Sequence, residues 1–88
     1  MEITEVIKRD FTTKPFQLEK ITNAILKAMT AVELGGPGDA ENISETVYTA
    51  LLERKKIDAA YRPTVEEVQD FVEKKLMEGG FFDVAKAY

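Results

Sequence analysis

The sequence predicts an α+β domain in which two short extended segments precede four helices. Three observations carry the prediction. β-Branched residues alternate imperfectly from Ile3 to Arg9, apolar residues return at steps of three and four from Leu18 onward, and glycine-rich punctuation at 35–38 and 79–80 divides the helical stretches. A chain of 88 residues buries too little surface to support two cores, so 1–88 reads as a single domain.

Ile3 to Arg9 is the first strand. Asp10-Phe11 then stands where a two-residue hairpin turn prefers Asp-Gly or Asn-Gly, and a positive φ at Phe11 would cost about 1–2 kcal/mol. A longer loop from Asp10 to Thr13 avoids that cost and is the expectation here. Lys14-Pro15-Phe16 is the return segment, with Pro15 confined to an edge or a strand end because it has no N–H to donate. In the first helix Leu18, Ile21, Ile25, Ala28 and Val32 share one face, and Glu19, Lys20, Asn23, Lys27 and Thr30 the other. Leu34-Gly35-Gly36-Pro37-Gly38 stops it.

Asp39 is the expected N-cap of the second helix, whose apolar positions are Ile43, Val47, Ala50 and Leu51. Arg54-Lys55-Lys56 complements the negative end of that helix, so a solvated helix end accounts for this basic run better than a ligand site does. Ile57 to Arg62 is open between an irregular connection and a third strand. Thr64 and Glu67 have the spacing of a reciprocal capping box, followed by Val65, Val68, Phe71, Val72 and Leu76 on a buried stripe and by Gly79-Gly80 as terminator. Phe81, Phe82, Val84, Ala85 and Tyr88 begin a fourth apolar-faced helix that has run about two turns at the last residue. The expectation is a domain truncated from a longer chain within this helix.

Hydrophobic residues make up 44% of the chain and charged residues 32%, a balance that folds. Cysteine and histidine are both absent, which excludes disulfides, thiol nucleophiles, zinc ribbons and imidazole bases. No apolar run is long enough for a membrane span and the N-terminus lacks the order of a signal peptide, so we expect no membrane partner and a cytoplasmic location. A net charge of −4 argues against nucleic acid as a partner. Within this acidic chain, Lys8, Arg9, Lys14 and Lys20 stand against only Asp10 and Glu19 over residues 8–20. Cations beside a helix N-terminus, whose amides and dipole favour negative charge, suit a small polyanion. Taken singly, Lys8 and Arg9 also suit solvated edge-strand charges, and Lys20 a pairing with its neighbours. Glu66, Glu67, Asp70 and Glu73 fit a helix beginning and its outer face better than they fit a metal cluster.

Three separated segments carry a resemblance. Val6-Ile7-Lys8-Arg9-Asp10, then Pro15-Phe16 with Glu19-Lys20-Ile21 and Ala24-Ile25, then Thr64-Val65-Glu66-Glu67-Val68-Gln69-Asp70 with the terminal Asp83-Val84-Ala85-Lys86-Ala87-Tyr88, together resemble the ATP-cone, the N-terminal nucleotide-sensing domain of ribonucleotide reductases. The resemblance implies a small four-helix bundle capped by a short β-hairpin or a three-stranded sheet. It implies a domain without chemistry of its own that binds ATP or dATP, with magnesium, and reports to the catalytic domain of the same chain. ATP would permit activity, and dATP would stop it through a change in oligomeric assembly. The nucleotide-binding positions that follow from the resemblance are Val6 against the base, with Lys8, Arg9, Lys14, Gln17, Lys20 and Ser44.

The sequence departs from the family pattern twice. Phe11 stands where the family has glycine after Lys-Arg-Asp, and Gln17 replaces the usual Asp, Asn or Ser at the helix start, a weaker N-cap. These departures keep a second reading open, a degenerate cone that acts as a protein–protein interaction domain without nucleotide. A third is the cone of a nucleotide-sensing transcriptional repressor, whose zinc ribbon would need cysteines that this sequence lacks. Among reductases, the look of the N-terminus leans toward the anaerobic ribonucleoside-triphosphate type.

Overall fold

The computed structural model describes residues 2–88. Strands β1 (Glu5–Ile7) and β2 (Thr13–Pro15) pair antiparallel, with Val6 opposite Lys14 and Ile7 opposite Thr13. Four helices follow, α1 (Leu18–Val32), α2 (Pro37–Ile57), α3 (Val65–Glu78) and α4 (Phe82–Ala87). Each helix packs on the next and α4 packs back on α1, so the four enclose one core. Ile25 and Met29 of α1, Val47 and Leu51 of α2, Val72 and Leu76 of α3 and Val84 of α4 are all fully buried there. Burying each large apolar side chain contributes about 1.5–3 kcal/mol, and this is what the helical periodicity achieves. The hairpin joins the same core through Ile3 and Val6.

The strand ends at Ile7, two residues before the Arg9 expected from sequence. The Lys8 N–H donates to the Thr12 carbonyl at 2.8 Å and the Phe11 N–H to the Lys8 carbonyl at 3.0 Å, a tight turn closed by one left-handed residue. That residue is Phe11, at φ 67°. The connection is longer than two residues, as expected, yet it does not spare Phe11 the positive φ. An 88% exposed side chain avoids any clash. On either side, the Asp10 carboxylate accepts bonds from the Thr12 N–H (3.1 Å) and hydroxyl (2.6 Å). These bonds hold the Asp10 carboxyl below the usual carboxylate pKa range.

The hairpin alternative is the one realised, and residues 57–62 form no third strand. The Tyr61 N–H donates to the Asp58 carbonyl (2.9 Å) and the Ala60 N–H to the Asp58 carboxylate (3.0 Å), so the segment turns where a strand would extend. A single parallel bridge stands in its place. The Ile7 N–H donates to the Pro63 carbonyl at 2.8 Å, pairing Ile7 with Thr64 and tying the hairpin to the start of α3.

Helix boundaries differ from expectation at α2. Gly36 is the N-cap, Pro37 is the first helical residue, and Asp39 lies inside the first turn. Proline is favourable there because the N–H it lacks would be unpaired anyway, and Asp39 still complements the positive end of the dipole. At α3 the Thr64 hydroxyl accepts the Glu67 N–H (3.1 Å), but the Glu67 carboxylate makes no return bond. It accepts from the Tyr61 hydroxyl (2.7 Å) and from Arg54 (3.1 Å) instead, charge-assisted and tertiary bonds that outweigh the local cap. Arg54 also lies over the Phe71 ring, 5.0 Å from its centre. Gly80 at φ 84° lets the Phe81 N–H reach the Leu76 carbonyl and end the helix. Phe82, expected on the apolar face of α4, is 60% exposed, while Phe81 and Tyr88 turn to the core. Among the described residues no helix is long and apolar enough to cross a membrane.

Candidate functional site

A pocket of about 420 Å³ opens where the hairpin meets the first turns of α1 and α3. Its walls follow from the secondary structure. Val6 and Lys14 are paired in register, so their side chains share one face of the sheet and both reach the pocket. Gln17, Lys20 and Ile21 stand three and four residues apart at the start of α1 and share a face of it, as Val65 and Val68 do on α3. Pro15, Phe16 and Tyr88 complete the lining. Phe16 stacks on Tyr48 with ring centres 5.7 Å apart, and the Tyr48 hydroxyl accepts the Ile3 N–H at 3.2 Å. These contacts fix the strand-to-helix junction that carries the polar residues.

The lining mixes apolar side chains (Val6, Ile21, Val65, Val68) with the polar Lys14, Gln17 and Lys20. Two lysines, Lys14 and Lys20, are among the lining residues and no acidic residue is. Gln17 is the N-cap residue of α1 but makes no side-chain cap bond, which leaves the first amides of that helix without a side-chain acceptor. The Lys20 N–H already donates to the Gln17 carbonyl at 3.1 Å, so the amides before it and the positive dipole end are what add to the two lysines as an environment for an anion. Burial first, and the negative charge of Glu73 second, raise the pKa of the Tyr88 phenol.

Val6, Lys14, Gln17 and Lys20, predicted from sequence, therefore line one pocket. Lys8 and Arg9 lie in the hairpin loop, outside the lining, and the Arg9 Nε donates to Glu66 Oε1 at 2.8 Å. Ser44 is buried between α1 and α2, its hydroxyl 2.6 Å from Thr22 Oγ1 and 3.0 Å from the Glu41 carbonyl, and has no face on the pocket. Sequence reasoning missed Pro15, Phe16, Ile21, Val65, Val68 and Tyr88 as lining residues. Ile21, Val65 and Val68 belong to stripes assigned wholly to the core, yet the first turn of such a stripe reaches past the bundle to the hairpin. The sequence places Tyr88 only on the apolar face of the fourth helix, with no local signal that it reaches the hairpin.

Comparison with known proteins now adds to this geometry. The family model of the ATP cone domain matches residues 4–88. The chain belongs to the ATP cone domain family. Among curated relatives of this ATP cone, the vitamin B12-dependent ribonucleoside-diphosphate reductase of Thermoplasma acidophilum is 45% identical over 98% of the chain. The anaerobic ribonucleoside-triphosphate reductase of Salmonella typhimurium is 32% identical over 94% of it, and the ribonucleoside-diphosphate reductase subunit alpha of Chlamydia pneumoniae 32% over 98%. The chain spans 11%, 11% and 9% of those three relatives. The match falls on the cone alone, and the pocket described above is a pocket of the cone.

Proposed function

We propose that the chain is a non-catalytic regulatory module that takes ATP or dATP into the hairpin pocket and controls a ribonucleotide reductase of which it is a part. The observation that carries the reading is the convergence, in one pocket of ligand size, of Lys14, Lys20, Gln17 and the start of α1, which has no side-chain cap, with the apolar Val6, Ile21, Val65 and Val68. A nucleotide has the same two characters. Its base suits Val6, Ile21, Val65 and Val68; its phosphates suit the lysines and the helix amides, with Lys8 and Arg9 in the adjoining loop as further donors. Ser44 has no part in this arrangement.

Magnesium is expected to accompany the nucleotide, but it prefers carboxylate and water oxygens, and the lining offers no carboxylate. The pocket residues do not fit a protein-held magnesium ion. The degenerate reading rested on Phe11 and Gln17. The hairpin keeps its turn bonds with Phe11 in place, and Gln17 stays on the pocket wall, so both features are compatible with binding. The relatives include B12-dependent, anaerobic and alpha-subunit reductases, and the 45% identity to the B12-dependent enzyme favours that type over the anaerobic one for the parent. Within the parent, the partner of the cone is the catalytic domain of the same chain, and dATP would act through its assembly.

Titration with ATP and dATP, followed by backbone amide shifts, tests the proposal. Saturable shifts at Val6, Lys14, Gln17, Lys20 and Val65 are expected. A folded spectrum unmoved by millimolar nucleotide would refute it.

A further inference from the structure

The pair between Arg9 and Glu66 joins the hairpin loop to the first turn of α3, across 57 residues of sequence. The segments it joins both border the pocket. Val6, three residues before Arg9, and Val65, next to Glu66, line it, and the Ile7–Thr64 bridge lies between them. The pair has one-sided geometry. Glu66 Oε1 takes the Arg9 Nε at 2.8 Å, while the terminal amino groups of the guanidinium carry no hydrogen bond among the described residues. The Arg9 side chain is 87% exposed, so those two donors are open to solvent and to an incoming anion.

We infer that Glu66 is a positioning residue for the polyphosphate of a nucleotide: it grips Arg9 through Nε and presents the two terminal nitrogens as a pre-formed fork for phosphate oxygens. The inference rests on the nucleotide reading of the pocket and assigns to it a residue outside the lining. The physical basis is conformational. A free arginine on a loop must lose rotamer freedom when it binds phosphate, and a carboxylate that already holds its inner nitrogen removes part of that loss. Glu66 has its own pKa lowered by the bond from Arg9, in keeping with a carboxylate ionised throughout the neutral range. It shares its helix turn with Glu67, but that carboxylate is taken by Tyr61 and Arg54 and faces away from this role.

The experiment is a double-mutant cycle on this chain, with ATP affinity measured calorimetrically for wild type, Glu66→Gln, Arg9→Gln and the double variant. An exposed pair of this kind predicts a loss of about two- to fivefold in affinity for Glu66→Gln. In the Arg9→Gln background the same change should cost nothing, and this absence separates positioning from a structural role, which would weaken both backgrounds alike. Unchanged or tighter ATP binding by Glu66→Gln, or an equal loss in both backgrounds, overturns the inference and leaves the pocket reading standing. Failure of the wild type to bind ATP at all removes both.

Discussion

Replacing Phe11 by glycine should stabilise the domain, although it deletes the aromatic side chain of the hairpin loop. At φ 67° a residue with a Cβ carries a left-handed penalty of about 1–2 kcal/mol, which glycine does not. Little is lost in exchange, because the ring is 88% exposed and buries almost no area. Glycine returns about 0.5–1 kcal/mol to the unfolded chain as added freedom. The balance spans about 0–1.5 kcal/mol and centres on about 0.75 kcal/mol, which is about 3–6 °C in the thermal midpoint of a domain this small. Phe11→Ala is the control, since alanine keeps the Cβ and the penalty and should gain nothing. Circular dichroism melts of the three proteins decide the matter. A glycine variant no more stable than the alanine variant would mean that the strain argument is wrong.

Lys20→Ala removes a charged donor from the pocket and should weaken ATP about tenfold or more, as expected for about 1.5–3 kcal/mol per charged hydrogen bond, with an unchanged melt. Thr64→Ala loses the side-chain acceptor of the Glu67 N–H and should cost about 1 kcal/mol in urea unfolding. Leu51→Ala opens a cavity in the fully buried core and should cost about 2–5 kcal/mol, enough to leave a marginal domain partly unfolded at 37 °C. Burial first, and the bond to Glu67 second, raise the Tyr61 pKa above its ordinary value of 10.0. Its contribution is therefore complete below pH 10 and is lost as pH rises beyond that value, so the urea midpoint should fall more steeply above pH 10 in wild type than in Tyr61→Phe.

The helices were legible because their signal is repeated. Ile21, Ile25, Ala28 and Val32 specify one face four times over, and a single ambiguous residue cannot overturn it. Caps and turns depend on one or two residues, and there tertiary contacts decided. Pro37 opened α2 in place of Asp39, and Glu67 left its own cap for Tyr61 and Arg54. Phe11 accepted the strained conformation that local reasoning tried to avoid, because the loop bonds around it outweigh the penalty. At the site, Lys14, Gln17 and Lys20 were readable because neighbouring positions in sequence remain neighbours in space. Val65, Val68, Tyr88 and the Arg9–Glu66 contact bring together residues more than 40 positions apart, and no local pattern carries that information.

The pocket is assembled from the two ends of the chain, Val6 to Ile21 on one side and Val65, Val68 and Tyr88 on the other. Neither end holds a site alone, and the bond from Ile7 to Pro63 joins the two ends across α1 and α2. An effector held there would bind the folded form in preference to the unfolded one. Occupancy at a hundred times the dissociation constant would then add about 2.7 kcal/mol to the stability of the entire domain. The nucleotide level of the surroundings would set how long this domain resists unfolding and proteolysis, alongside any signal it sends to an attached enzyme.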